Sequence, residues 1–297
     1  MPEKNKDFVF ETDKGTIEAS FDEVKRMVKN GDPDGLFAMG MAYLFGLNIE
    51  QDVDKGYEML ESACEKGQTE AMTLLVRLFM SHQYTKMDAQ KAVEYSKKGA
   101  EDGISDAQLF LGIAYMDGVG VERDYAKAAE LFRLSAKQGN SEARNSLAFI
   151  YQEGLGVEKD VEKAFKLYKN AATAGNINAQ YQTGAYYEDG IGVKKDLKKA
   201  IEWYSKAAGN GDTFAMERLG IIYCTGSAEL PIDPESSFKW FLDAALGGML
   251  GAMHQVGLDY LEGFGVEKDK EEGMKWLRLA ASSGSEESRK VLSHLES

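Results

Sequence analysis

The sequence predicts an all-α solenoid of helical hairpins. Three observations predict it. The unit over residues 107–139 returns over 143–175 and again over 179–211, a period of 36 residues. Self-similarity at a fixed period of roughly 20–50 residues marks repeat architectures. A glycine closes each unit, at Gly31, Gly67, Gly103, Gly139, Gly175, Gly211, Gly248 and Gly284. The steps are 36 residues apart from one of 37 between Gly211 and Gly248, which leaves seven repeats. Inside each unit the apolar residues recur at spacings of three and four, as they do on one face of a helix.

Taken in order, residues 1–19 lie outside the repeat. Phe8-Val9-Phe10 and Thr16-Ile17-Glu18 flank Thr12-Asp13-Lys14-Gly15. That stretch fits a small hairpin with a glycine-bearing turn, and it equally fits a poorly ordered leader. Ser20-Phe21-Asp22-Glu23 reads as a capping box. It opens a helix with Val24, Met27 and Val28 on one face, a capping half-repeat over 20–34. The seven repeats fill 35–284. The first half carries Ala, then Leu or a substitute, then Gly, then an aromatic, as at Ala107, Leu111, Gly112 and Tyr115, with Ala148 in the glycine slot of repeat 4 and Val76 in that of repeat 2, which is expected to be splayed or shifted. A glycine inside a helix costs about 1 kcal/mol relative to alanine. Its return at Gly40, Gly112, Gly184, Gly220 and Gly257 therefore implies a second helix crossing at close range.

The second half of each repeat opens on Asp52, Asp88, Asp124, Asp160, Asp196, Asp233 or Asp269, which read as N-caps of a second helix. Between the halves stands GVGV (118–121), GLGV (154–157), GIGV (190–193) or GFGV (263–266). Glycine-rich loops cradle phosphate when they follow a strand and open a helix. These follow a helix and recur four times, so they read as tight turns with glycines at positive φ. Repeat 2 replaces the loop with 81–87, and repeat 6 with the longer, proline-bearing 225–234. Both fit drift in a tolerant turn, and both are places where partner contacts concentrate. The tail 285–297, with Val291, Leu292 and Leu295, reads as a C-terminal capping helix.

The chain is 43% hydrophobic and 28% charged, enough apolar content for a continuous core. Its net charge of −14 repels a phosphate backbone, which argues against nucleic acid and for basic partners. No apolar run approaches the ~20 residues of a membrane span. The N-terminal residues lack the apolar stretch of a secretory signal, so a cytoplasmic protein is expected. Cys64 and Cys224 stand about four repeats apart, too far to bridge in a solenoid, and suit a reducing compartment. His82, His254 and His294 fall in different repeats and make no metal pair. There is no G-x-S-x-G elbow and no cysteine with an obvious histidine partner. No catalytic residue, metal or cofactor is expected. Trp203, Trp240 and Trp276 share one slot of the second helix and are expected in the core.

The pattern A-x3-L-G-x2-Y-x2-G-x-G-V-x2-D-x2-K-A-x2-W/F/Y-x3-A-A-x2-G, carried over 35–284, resembles the Sel-one-like repeat, a relative of the tetratricopeptide repeat. The resemblance implies a right-handed superhelix of antiparallel hairpins. It also implies an adaptor or scaffold for protein complexes, the role of family members in bacterial signalling and in eukaryotic membrane-protein quality control. One cysteine-rich secreted branch carries a disulfide in each repeat, and some of its members are described as binding or hydrolysing β-lactams. The repeats here lack those cysteines, so that activity does not carry over and stands as the alternative reading.

In tetratricopeptide-like hairpins the first helix lines an inner groove. With the first Ala of a repeat as slot 1, slots 3, 7, 10 and 11 are expected to face it. The candidates are Phe37, Met41 and Phe45 in repeat 1, Met80 in repeat 2, and Leu109, Ile113, Met116 and Asp117 in repeat 3. Repeat 4 adds Phe149 and Glu153, repeat 5 adds Tyr181, Glu188 and Asp189, and repeat 7 adds Glu262. Met and aromatic residues make an adaptable surface, and the acidic slots suit Lys and Arg. The expected partner is a protein or peptide with apolar anchors and basic flanks. Two other readings stay open: a curved solenoid that buries part of this face by itself, and a structural oligomer that pairs with a copy of itself.

Overall fold

Small residues at fixed slots let helices approach closely, and the fold is the consequence. The computed structural model describes residues 8–12, 15–80, 89–228 and 230–295. The turn at Asp13-Lys14, the replaced loop over 81–87 with His82, and the cap Asp88 lie outside the described residues. The chain is an all-α solenoid of helical hairpins that divides into two compact units, Met1–Lys159 and Asp160–Ser297.

In the first unit, β1 (Phe8–Thr12) pairs antiparallel with β2 (Gly15–Ala19), Phe8 opposite Ala19. Helix α1 (Phe21–Lys29) opens at the expected box. The Glu23 amide donates to Ser20 Oγ at 3.4 Å, and Glu23 Oε2 accepts from the Ser20 amide at 2.9 Å. Phe8 stacks on Phe21 with centroids 5.9 Å apart. With Ala19 and Val24 it packs against Ala38, Met39 and Ala42 of α2 (Pro33–Phe45), so the strand pair covers the first hairpin. There follow α3 (Val53–Glu65), α4 (Thr69–Met80), α5 (Ala89–Glu101), α6 (Ser105–Asp117), α7 (Tyr125–Lys137) and α8 (Ser141–Glu153), each packed on the next within the unit. Leu36, Leu60, Leu75, Val76 and Phe110 join through Ala63, Ala71 and Ala92 into one core cluster.

The second unit holds α9 (Val161–Thr173), α10 (Ile177–Asp189), α11 (Leu197–Gly209), α12 (Thr213–Thr225), α13 (Pro234–Leu246), α14 (Leu250–Glu262), α15 (Lys270–Ser282) and α16 (Glu286–Leu295). Successive helices again pack in sequence.

The helix glycines are where the second helix comes closest. A Cβ on Gly112 would lie 2.6 Å from Phe132 Cε1, on Gly184 2.7 Å from Tyr204 Cδ1, and on Gly257 2.7 Å from Leu277 Cγ. The group that fills the space is one large buried side chain of the partner helix. This corrects the expectation for the tryptophans. The buried positions are the next residues along, Tyr204, Phe241 and Leu277. Trp203, Trp240 and Trp276, rotated about 100° from that seam, are half-buried. Lys206 Nζ sits 4.0 Å over the Trp203 ring.

The turn glycines do two jobs. Gly118 takes φ 75°, and its amide and that of Val119 both reach the Ala114 carbonyl, which ends α6. The second glycine is also pinned by space: a Cβ on Gly192 would lie 2.6 Å from the Val161 carbonyl oxygen at the start of α9. Asp52, Asp124, Asp160, Asp196, Asp233 and Asp269 each accept the amide three residues on, at 2.8–3.1 Å. The first helices carry caps as well, which the sequence reading missed. Asn140 and Asn176 accept the Ala143 and Ala179 amides at 2.9 Å. Among the described residues no helix is long and apolar enough to cross a membrane.

Candidate functional site

Slots 7 and 11 of each first helix are four residues apart and so share a face. In the first unit Phe45 is 51% exposed and Phe149 42% exposed, while Met41, Met80, Ile113 and Met116 are half-buried. Asp117 and Glu153 are exposed. Two expected members of this surface are not on it: Phe37 is 6% exposed and Leu109 2%. Slot 3 falls in the seam between consecutive first helices, and Phe37 joins the core cluster with Leu75 and Phe110. The same seam shows in the second unit, where slot-3 His254 holds Ser288 Oγ of α16 at 2.8 Å. The slot-7 cation of repeat 2, Arg77, bonds Asp106 of α6 at 2.6 Å.

In the second unit Asp189 and Glu262 are exposed and Tyr181 is half-buried. Glu188 differs from the exposed acidic candidates in being half-buried and paired with a cation, whereas Glu153 accepts from the neutral Gln152 Nε2 at 2.8 Å. Arg218 donates to it twice, from Nε at 2.9 Å and Nη2 at 2.7 Å, and Tyr204 Oη donates at 2.9 Å. The Tyr181 ring lies 5.4 Å from that of Tyr204. Burial pushes the Tyr204 and Tyr181 hydroxyls up, and the hydrogen bonds to Glu188 hold Arg218 firmly charged. Arg218 was not singled out from the sequence. Its signal was a cation 30 residues after a carboxylate, the spacing that joins consecutive first helices. Beside this cluster a cleft of about 470 Å³ is lined by Glu188, Lys195, Leu197, Ile222, Thr225 and the start of the repeat-6 loop.

Two further buried groups have shifted titrations. Burial pushes the Cys64 thiol up to about 12, which keeps it protonated and a poor nucleophile. Burial also raises the carboxyl of Asp259 to about 6. Among the described residues no group of three or more His, Cys, Asp or Glu could hold a metal ion. The arrangement presents apolar side chains beside carboxylates.

Comparison with known proteins bears on the family. The Sel1 repeat model matches residues 33–68, 78–104, 105–140, 141–176, 177–212, 213–249 and 250–285. Among solved structures the chain is similar to a protective antigen of uropathogenic Escherichia coli strains with an SLR fold. The identity is 29% and the TM-score 0.83, over 93% of this chain and 59% of that one. The chain thus spans about three fifths of that antigen's length. It is also similar to a Sel1 repeat protein from Oxalobacter formigenes, at 28% identity and a TM-score of 0.75, over 92% of this chain and 79% of that one. A search of curated proteins finds no match.

Proposed function

The chain belongs to the Sel1 repeat family, and from that premise we propose that it is a non-catalytic scaffold binding a protein or peptide with basic and apolar residues. The observation that carries the reading is the pairing of slots 7 and 11. Ile113 with Asp117, Phe149 with Glu153, and Leu258 with Glu262 each set an apolar side chain one turn before an exposed carboxylate. A partner segment with hydrophobic anchors would seat them against the first member and its Lys or Arg against the second. Phe45 and Phe149 are the strongest anchors, because large aromatics dominate interface energetics once desolvated. Glu188 acts indirectly, fixing Arg218 and Tyr204 rather than meeting a partner cation. The two free thiols, Cys64 and Cys224, support placing the protein in the cytoplasm.

Charge reversal tests the reading. Asp117→Lys with Glu153→Lys is expected to weaken the affinity for an identified partner, measured by titration calorimetry, with the far-ultraviolet helical signal unchanged. Unaltered affinity would remove slots 7 and 11 from the interface. Turnover of a chromogenic β-lactam by the purified protein would overturn the non-catalytic assignment.

A further inference from the structure

Two positions of the repeat are polar or small in every unit but the sixth. The second residue of the first helix is Asp34, Glu70, Asp106, Glu142, Asn178 or Gly251. The last residue of the second helix is Glu65, Glu101, Lys137, Thr173, Gly209 or Ser282. In the sixth repeat these positions hold Phe214 and Leu246, 63% and 70% exposed. The other repeats show what suits a solvated site there, so the exception needs a reason other than packing.

The two residues share an edge of the second unit. The start of α12, the end of α13 and the start of α14 meet there. A Cβ on Gly247 would press into Thr213, and one on Gly251 would lie 2.8 Å from Glu217 Oε1. Leu250, 38% exposed, extends the apolar strip onto α14. Glu217 stands one turn from Phe214, Asp243 one turn before Leu246, and Asp212 caps α12. Glu217, Asp243 and Asp212 are thus the carboxylates of this edge, and the nearby cation Arg218 is committed to Glu188.

We infer that this edge is a second docking surface, for a partner segment that combines two or three apolar side chains with flanking Lys or Arg. It is separate from the slot 7 and 11 surface, since no residue is common to the two. The acidic rim selects the occupant. A second copy of this chain would set carboxylates against carboxylates, whereas a basic segment neutralises them.

The test uses the full chain and two sets of labelled peptides of about 15 residues with Leu, Phe or Met at helical spacing. One set has Lys and Arg between the apolar positions and the other has Asp and Glu. Binding is read by fluorescence anisotropy. The basic set is expected to bind, more weakly as salt rises. Phe214→Asn with Leu246→Thr, residues that sister repeats carry in those slots, is expected to cut that affinity at least about tenfold. Both peptide sets are also titrated against Asp117→Lys with Glu153→Lys, in which the slot 7 and 11 surface is disabled; the basic binding that remains there is expected to be lost on adding Phe214→Asn with Leu246→Thr, which separates this inference from the proposed function. Should the apolar double variant lose its helical signal, Asp243→Lys keeps both apolar residues and must weaken basic-peptide binding. The inference fails if basic peptides do not bind, if acidic ones bind equally, or if Phe214→Asn with Leu246→Thr binds as before. It fails too if light scattering finds a wild-type dimer that this variant dissolves.

Discussion

Asp259 stands in α14 at 2% exposure, with Gln255 Nε2 donating to Oδ1 at 2.8 Å and no partner on Oδ2 among the described residues. Burial, helped by nearby Glu262, raises its carboxyl from 3.8 to about 6. The folded chain therefore holds this proton at a pH where the unfolded chain has released it. The stability contributed is complete below the unfolded value and is lost as pH rises through the folded one. At neutral pH the buried charge costs on the order of 3 kcal/mol relative to the protonated form. Asp259→Asn is expected to stabilise the protein at pH 7, with the gain vanishing near pH 4, as read from denaturant melts. An equal gain at both values would rule out burial of charge as the cause. The helix caps work the other way. Hydrogen bonds from the residue three ahead hold the carboxyls of Asp52, Asp124, Asp196 and Asp233 below the usual range. Their stabilisation is lost in acid, and they cancel in the difference between variant and parent. At this scale the sequence is least legible. A period of 3.6 says that Leu109 and Met116 share a broad face, but not where the seam with the next helix runs. One residue of rotation separates half-buried Trp203 from fully buried Tyr204.

Elements were far more legible, because most boundaries have a local chemical cause, Ile104 and Met249 before α6 and α14 being exceptions with no side-chain cap. Among the described residues, the capping box at Ser20, the Asp before six of the second helices and the glycine after six of the first helices all act within four residues of themselves. The helix glycines needed one more inference, from the cost of the residue to a close approach, and the structure supplies the approaching group. Gly112→Ala puts the two effects in opposition. Helix propensity gains about 1 kcal/mol, while the new methyl must displace the Phe132 ring from a site where its Cβ would stand 2.6 Å away. Overpacking of this kind costs about 1–3 kcal/mol, so a net loss of stability is expected in thermal melts. A stabilised variant would mean that Phe132 has room to move. Ala148 shows that the slot accepts a methyl when its surroundings are built for it.

For the molecule as a whole, the repeat that reveals the fold also conceals the function. The residues that recur fix turns, caps and seams, and the recognition proposed above is left to slots that differ between copies. Arg218, Phe214 and Leu246 carry no motif, and they become visible only against their counterparts in sister repeats. Charge is the one functional property readable over the full length. The chain has 49 carboxylates and 35 cations. Several of the carboxylates are neutralised locally, as where Lys55, Lys127 and Lys199 pair with the caps Asp52, Asp124 and Asp196. Such exposed pairs add little stability, but they remove the cap carboxylates from the outer field. The excess negative charge then falls to exposed residues such as Asp117, Glu153, Asp189 and Glu262. A field of this kind acts on approach, before any contact forms, and salt screens it within about 10 Å at 0.1 M. The association rate of a basic partner is therefore expected to fall steeply as ionic strength rises, while its dissociation rate, set by the apolar anchors, changes little. Stopped-flow mixing over a salt series separates the two rates. If salt acts instead on dissociation alone, the carboxylates hold the bound partner rather than steer its approach.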